Sequence, residues 1–282
     1  MDPIESMKKE MLRRKLSYKT IKTYLFYVKK FLLFKKDKPI KQISKKDCNE
    51  FLNQFMENKL HWSKFEKEIA GSTLNVALNS IKFLMEEILR KSMRLNIKYS
   101  KTLKTLPICL TKQEVLTFLN AIQNPKHKLL IALMYGAGLR VSEVTKLKPQ
   151  DLDITTNIGW VRKGKGNKDR PFIIPKCLTE ELKIIINTNP IYLFPGRKSH
   201  LTTRSVEMII NNITKKLKWK KNIHPHTFRH SFATHLLEQG SDITSVQSLL
   251  GHSEARTTLT YLHIVKPELI KIKSPLDTNQ NI

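Results

Sequence analysis

Apolar residues recur every three or four positions in two stretches of the first hundred residues, which predicts amphipathic helices. The first stripe comprises Tyr18, Ile21, Leu25, Val28 and Leu32. Because Ser17 precedes it at a capping position, we predict a helix over about 17–36. The second stripe follows Ser72 and comprises Leu74, Leu78, Ile81, Met85 and Ile88. The opposite faces carry many lysines, which fit either a basic binding surface or ordinary solvated surface.

The periodicity fades between Ser92 and Thr105, where the chain becomes basic and polar. Pro107 then ends any helix. We therefore predict a helical domain over 1–94, a linker over 95–108 and a second domain over 109–282, which includes a C-terminal tail.

The second domain opens with a mixed pattern. Thr111 and Glu114 form a capping-box pair, and the apolar run Leu129–Tyr135 predicts a buried helix that ends at Gly136 and Gly138.

Two short runs, 158–162 and 170–174, then predict strands joined by a basic, glycine-containing turn that projects Lys165. Helices are predicted again over about 203–218, 226–239 and 243–250, with Gly240 and Gly251 after the last two. The pattern therefore predicts a mainly α fold with a small antiparallel β-sheet.

The net charge of the chain indicates what kind of partner it binds. The 282 residues include 51 Lys and Arg against 24 Asp and Glu, a net charge of +27. Residues 1–106 carry +14 of this and the remainder +13, so both domains are basic. A polyanion is the simplest partner, and double-stranded DNA held from two sides fits this distribution. An AT-rich genome, whose codons favour Lys, Ile and Asn, would explain part of the excess of basic residues.

Cysteine usage and the N-terminus bear on the compartment. Cys48, Cys109 and Cys177 are far apart and contain no C-x-x-C pair, so neither a disulfide framework nor a cysteine zinc site is indicated. No apolar leader is present, and the most apolar run is too short to cross a bilayer. We expect a cytoplasmic protein with no membrane partner.

The sharpest chemical signal lies near Pro225, which suits the first turn of a helix. His226 and Arg229 are three residues apart and share a face, a pairing that suits a phosphate. Zinc is the rival, because His226 and His230 have i, i+4 spacing. However, Thr227 stands where a metalloprotease helix needs glutamate, and no ligand set is completed, so we expect no metal.

Five segments together resemble the tyrosine recombinase (phage integrase) family over about 150 residues. They are Tyr135-Gly-Ala-Gly-Leu-Arg140-Val-Ser-Glu143, Gly164-Lys165-Gly166, His226-Thr-Phe-Arg229-His-Ser-Phe-Ala-Thr-His235, Leu250-Gly-His252-Ser, and Thr257-Thr258 with Tyr261. These motifs are most similar to those of bacterial and archaeal Xer site-specific recombinases. The pattern Ser17-x-x-Thr20-x-x-x-Tyr24 is similar, more weakly, to the family's SAM-like core-binding domain.

The resemblance implies a role for each matching residue. Tyr261 would be the nucleophile, Arg140 and Arg229 would bind the scissile phosphate, and Lys165 would protonate the leaving 5′ oxygen. His226 would be the acid/base partner of the tyrosine, and His252 would bond a non-bridging oxygen. We expect His224, His230 and His235 to be structural.

The physical chemistry of phosphoryl transfer agrees with these roles. Attack on a phosphodiester concentrates charge on the non-bridging oxygens, which fixed guanidinium groups stabilise. Tyrosine, with a reference pKa of about 10, needs a base or nearby cations to act at neutral pH. A covalent intermediate conserves the phosphodiester energy, so the reaction needs no cofactor, neither metal nor ATP.

The family also implies an architecture: two domains in a C-shaped clamp around DNA, acting as a homo-tetramer on paired sites and as a monomer or weak oligomer without DNA. A type IB topoisomerase would use the same chemistry, and a silent DNA-binding regulator would have a broken catalytic set.

Chromosome dimer resolution and mobile-element integration or excision both stay open. The short span from Gly251 to Tyr261 favours a simple Xer-like role. In the tail, 265–273 predicts a short helix that starts at Pro267. So short a helix needs a groove on its own domain or on a neighbouring subunit, and the family resemblance favours the neighbour.

Overall fold

The computed structural model describes residues 2–57, 69–91, 107–162, 164, 169–188 and 190–251. The chain divides into two compact units, Met1–Lys104 and Thr105–Ile282. The predicted linker, 95–108, lies almost wholly outside the described residues, so the predicted domain boundaries stay a prediction.

The first unit is helical. Its α-helices are α1 (Pro3–Arg13), α2 (Tyr18–Phe34), α3 (Lys45–Met56) and α4 (Gly71–Lys82). The Ser17 hydroxyl caps α2 by accepting a hydrogen bond from the Thr20 N–H at 3.1 Å, as predicted. The second predicted helix starts at Gly71, and its last part, Phe83–Ile88, is a wider π-helical turn rather than α-helix.

Apolar side chains from these helices form one core. It includes the fully buried Met7, Met11, Val28, Phe31, Phe51, Ile81, Leu84 and Met85. The predicted apolar stripes of α2 and α4 supply much of this core. Each helix turns one face toward the core, which explains why its apolar residues recur every three or four positions.

The second unit combines helices with a small sheet. Its helices are α5 (Lys112–Asn120), α6 (Pro125–Gly136), α7 (Val141–Val144), α8 (Thr179–Asn187), α9 (Thr203–Lys216), α10 (Pro225–Glu238) and α11 (Ile243–Leu250). Its strands are β1 (Leu152–Asp153), β2 (Ile158–Val161) and β3 (Arg170–Ile173), antiparallel in the order β1-β2-β3. The mainly α fold with a small antiparallel sheet is confirmed, and β1 adds a strand that the sequence pattern did not indicate.

Helix α6 is the centre of the second core. Leu129, Leu130, Ile131, Leu133 and Met134 are all buried, so the helix has no polar side along this stretch. The neighbouring helices α5 and α10 pack against it. Because α6 is buried on all sides, its C-terminal end has a fixed position in the core. Arg140 follows that end by only four residues.

Sheet register decides which side chains of the hairpin face inward. Gly159 pairs with Phe172, and Val161 pairs with Arg170. Along β3 the residues alternate, with Arg170 and Phe172 buried and Pro171 and Ile173 exposed. The sheet thus buries a charged residue on the same face as an aromatic one.

Candidate active site

Helix α10 carries two of the predicted site residues. Pro225 occupies its first turn, and the hydroxyl of Thr227 accepts a hydrogen bond from the His224 N–H at 3.2 Å. Buried Phe228 anchors the helix in the core. His226 lies on the exposed side of the first turn, while Arg229, one turn later, is buried.

Arg229 joins three segments of the second unit. One terminal nitrogen donates to the Gly138 carbonyl at 2.6 Å, and the other donates to the Leu250 carbonyl. Gly138 adopts a left-handed φ of +62°, and an added Cβ would lie 2.4 Å from the Phe232 ring. The loop after α6 and the end of α11 are thereby held against α10.

Arg140 lies where that loop enters α7. Its backbone N–H donates to Glu143 Oε2 at 2.8 Å, and its guanidinium donates to Glu143 Oε1 at 2.7 Å. A further N–H reaches the Gly251 carbonyl at 3.4 Å. The Arg140 side chain is 19% exposed, so its hydrogen bonds to Glu143 and Gly251 hold it in place while part of it stays accessible to solvent.

Glu143 is the anionic centre of this cluster. Besides Arg140, its carboxylate accepts a hydrogen bond from Arg170 at 2.7 Å and lies 4.0 Å from Arg229. Burial raises the pKa of Glu143, but the Arg170 charge and the Arg140 hydrogen bonds outweigh it and hold that pKa below its usual value. The carboxylate therefore stays ionised, and it offsets one of the charges on the arginines around it.

The C-terminal end of α11 accepts hydrogen bonds from the same arginines. Arg170 donates to the Leu249 carbonyl at 2.6 Å, Arg229 donates to Leu250, and Arg140 donates to Gly251. These carbonyls are at the negative end of the helix, where cations bind favourably. Gly251 ends the helix with a φ of +62°, as the sequence predicted.

His226 has a lowered pKa. Partial removal of water lowers it, and the charges of His224, Arg229 and Arg140 lower it further, against a smaller opposite effect of Glu143. The imidazole is therefore predominantly neutral at pH 7 and able to accept a proton.

The structure brings together Arg140, His226 and Arg229 of the six predicted site residues. Lys165, His252 and Tyr261 lie outside the described residues. Glu143 and Arg170 also belong to this cluster, although neither was predicted to have a role. The available signals were the i, i+3 spacing of Glu143 from Arg140 and an arginine on the inward face of a strand.

Of the remaining histidines of α10, His235 makes a contact that fits the structural role predicted for it. His235 Nδ1 hydrogen-bonds the Tyr135 hydroxyl at 2.8 Å, which ties α10 to α6. Burial lowers the pKa of His230 to about 4. Among the residues that the structure describes, no group of three or more His, Cys, Asp or Glu side chains is arranged to hold a metal ion. Within the same residues, no helix is both long enough and apolar enough to span a bilayer.

Comparisons with known proteins cover almost the whole chain. The model of the phage integrase family matches residues 109–268, and that of the phage integrase N-terminal SAM-like domain matches residues 4–95. A tyrosine recombinase of Thermosipho africanus is 34% identical over 277 residues, which span 95% of this chain and 97% of the relative. Tyrosine recombinase XerA of Pyrococcus horikoshii is 38% identical over 204 residues, 70% of this chain and 71% of the relative.

Solved structures agree with this assignment. A XerA recombinase crystal structure matches with a TM-score of 0.53 and 27% identity, over 95% of each chain. XerH bound to a palindromic difH substrate matches with a TM-score of 0.71 at 24% identity, over 91% of this chain and 79% of the other, which supports the fold alone. The chain therefore belongs to the phage integrase family and is an Xer-like tyrosine recombinase, a site-specific DNA strand-transferring enzyme.

Proposed function

We propose that this recombinase cuts and rejoins duplex DNA through a 3′-phosphotyrosine intermediate formed on Tyr261. The observation that carries the proposal is the convergence of Arg140 and Arg229 on Glu143 and on the last carbonyls of α11. The next residue in the chain is His252, and Tyr261 follows nine residues later. The chain therefore leads from the arginine cluster directly to two of the proposed catalytic groups.

Arg140 and Arg229 would stabilise the charge that develops on the non-bridging phosphate oxygens. Both guanidinium groups are held by hydrogen bonds to carbonyl or carboxylate oxygens, so little reorganisation is needed when phosphate binds. Three arginine charges against one glutamate charge leave two net positive charges around the site. That excess favours the phosphodiester dianion-like transition state over the monoanionic ground state.

The bond changes balance without a cofactor. The Tyr261 oxygen attacks phosphorus, the bond from phosphorus to the 5′ oxygen breaks, and a phosphotyrosine bond forms. The tyrosine proton passes to His226, whose lowered pKa keeps it neutral and ready to accept. The leaving 5′ oxygen takes a proton from Lys165, and His252 hydrogen-bonds a non-bridging oxygen. Religation reverses these steps with a new 5′ hydroxyl.

We also propose the assembly. The unit at residues 1–94 would bind DNA beside the catalytic unit at 109–282, with the intervening residues as linker. Homo-tetramers would form on paired sites, while the free protein would be a monomer or a weak oligomer. The high basic charge in both parts of the chain supports DNA contact by each.

Replacement of Tyr261 by Phe tests the nucleophile. The change removes one oxygen and leaves the cations in place, so DNA binding should persist while covalent adduct is lost. Wild type and Tyr261→Phe are incubated with a nicked suicide substrate and resolved on a denaturing gel.

Another tyrosine, Tyr192, lies far from these motifs in sequence and provides the matched control. Tyr192→Phe should form adduct as wild type does. A shifted protein–DNA band with Tyr261→Phe would contradict the assignment, and no band with wild type on its mapped site would contradict the proposed function itself.

A further inference from the structure

Arg170 contacts the same carboxylate and the same helix end as the two phosphate-binding arginines, but from the β-hairpin. We infer that Arg170 is a positioning residue for strand cleavage, acting through Glu143 on Arg140 and through Leu249 on the end of α11. This inference rests on the proposed function, because it assigns Arg170 to the reaction proposed above. It adds a fourth side chain to Arg140, Arg229 and Glu143, and it brings the hairpin strand into the arrangement that sets the phosphate site.

The hydrogen-bond geometry of Arg170 uses both ends of its guanidinium fork. One terminal nitrogen donates to Glu143 Oε2 at 2.7 Å, and the other donates to the Leu249 carbonyl at 2.6 Å. The same Oε2 atom accepts the backbone N–H of Arg140. Arg170 therefore fixes the rotation of a carboxylate whose other oxygen holds the Arg140 guanidinium.

Burial makes this fork rigid. The Arg170 side chain is 10% exposed, and Glu143 is 6% exposed. Burial lowers the pKa of Arg170, while the charge of Glu143 opposes that shift. Buried ion pairs add little net stability over a well-packed apolar pair, yet removal of one partner leaves an uncompensated charge. The pair therefore contributes orientation more than stability.

The end of α11 is shaped around the Arg170 side chain. A Cβ built on Gly251 would lie 2.5 Å from Arg170 Cδ and 2.9 Å from Nε. The Nε atom is buried and has no hydrogen-bond partner among the described residues. It packs against the space that a side chain at position 251 would occupy. The hairpin strand that follows Lys165 in sequence is thus locked to the helix end that precedes His252.

Lysine cannot reproduce this arrangement. It carries charge at one nitrogen and lacks the planar fork that reaches Glu143 and Leu249 together. In Arg170→Lys, we expect DNA affinity within about threefold of wild type, because the bulk charge is unchanged. At saturating DNA, we expect the single-turnover rate of adduct formation to fall about 10- to 100-fold, the usual cost of misplacing a catalytic group by an ångström or losing one charge-stabilising contact.

The test must separate positioning from loss of folded protein. The second substrate carries a methylphosphonate at the scissile position, where a methyl group replaces one non-bridging oxygen and removes the negative charge. If Arg170 acts through Arg140 on that charge, the ratio of wild-type to Arg170→Lys rates should shrink at least fivefold on the neutral substrate. A fall in the folded fraction would give the same ratio on both substrates.

Val115→Ala is the matched stability control, because it trims a buried apolar side chain of α5, a helix that is far from the arginine cluster in sequence. Its rate ratio should be equal on the two substrates. As a second variant, Arg170→Gln removes the charge and the fork but leaves Glu143 paired with Arg140 and close to Arg229, so the buried carboxylate keeps compensating charges.

The outcomes are distinct. Absence of adduct with wild type would overturn the proposed function. An active wild type with Arg170→Lys at the wild-type rate, or with equal ratios on both substrates, would overturn the role of Arg170 alone. If Arg170→Lys fails to fold, Arg170→Gln decides: a lowered rate with a substrate-dependent ratio supports the inference, and an equal ratio refutes it.

Discussion

Replacement of Gly251 by Ala tests how the end of α11 is built. The residue has a φ of +62°, and its missing Cβ would lie 2.5 Å from Arg170 Cδ. A left-handed conformation costs an alanine about 1–2 kcal/mol. The methyl group also displaces Arg170, which donates to Glu143 and Leu249. A hydrogen bond to a charged group contributes about 1.5–3 kcal/mol, so loss of one raises the total to about 2.5–5 kcal/mol and loss of both to about 4–8 kcal/mol.

Gly240→Ala provides the matched control. Gly240 follows α10 with a φ of +84°, and a Cβ there meets nothing within 4 Å. It should lose only the backbone cost of about 1–2 kcal/mol. The difference between the two variants, about 1.5 kcal/mol or more, measures the Arg170 clash. Urea denaturation of the full chain followed by circular dichroism gives both free energies of unfolding, and amide exchange in α10 and α11 assigns the loss to the second unit.

A double-mutant cycle checks the physical cause. In an Arg170→Ala background the clash is absent, so Gly251→Ala should cost about as much as Gly240→Ala. The reasoning is refuted if Gly251→Ala and Gly240→Ala lose equal stability in the wild-type background, or if Arg170→Ala leaves the cost of Gly251→Ala unchanged.

Three further outcomes are expected. A 5′ sulfur leaving group needs little protonation, so Lys165→Ala should cleave a substrate with this sulfur far better than the normal substrate. Arg229→Ala should gain nothing from the sulfur. Equal rescue of both variants in gel assays would contradict the separate roles proposed for Lys165 and Arg229. His230 has a pKa of about 4 in the folded protein, against about 6.5 unfolded, because burial disfavours its charge. Folding stability should therefore be full above pH 6.5 and fall by up to about 3 kcal/mol as the pH drops to 4, and His230→Gln should flatten that slope in denaturation curves. Truncation after Val265 should keep single-site binding within a few fold but abolish paired-site complexes in mobility-shift gels; surviving complexes would mean that the tail packs in cis.

Local pattern predicted the regular helices well. The stripe of α2 and its Ser17 cap appear as predicted, because one apolar face and one hydroxyl suffice to define such a helix. Helix α1 escaped specific prediction because Met7 and Met11 are its only buried residues, and five of its other nine residues are charged. Strand β1, at two residues, is too short to show alternation and depends on pairing with β2.

The arginine cluster could be predicted only in part. Arg140, His226 and Arg229 were found through short motifs whose spacing is local. The contact from Arg170 to Glu143 spans 27 residues, and that from Arg140 to Gly251 spans 111. No periodicity encodes such pairs, because they depend on how α7, β3 and α11 meet. The buried register of Arg170 was the available local sign that a charge needed a partner.

The same cluster explains how several cations remain close together. Arg140, Arg170 and Arg229 would repel one another, but Glu143 and successive carbonyls at the negative end of α11 bind them. These oxygens hold the guanidinium groups by their inner edges, so the outer edge of Arg140 stays exposed. Folding energy thus sets the position of these charges. If Arg140 and Arg229 bind the scissile phosphate as proposed, that phosphate gains their attraction without the cost of ordering them.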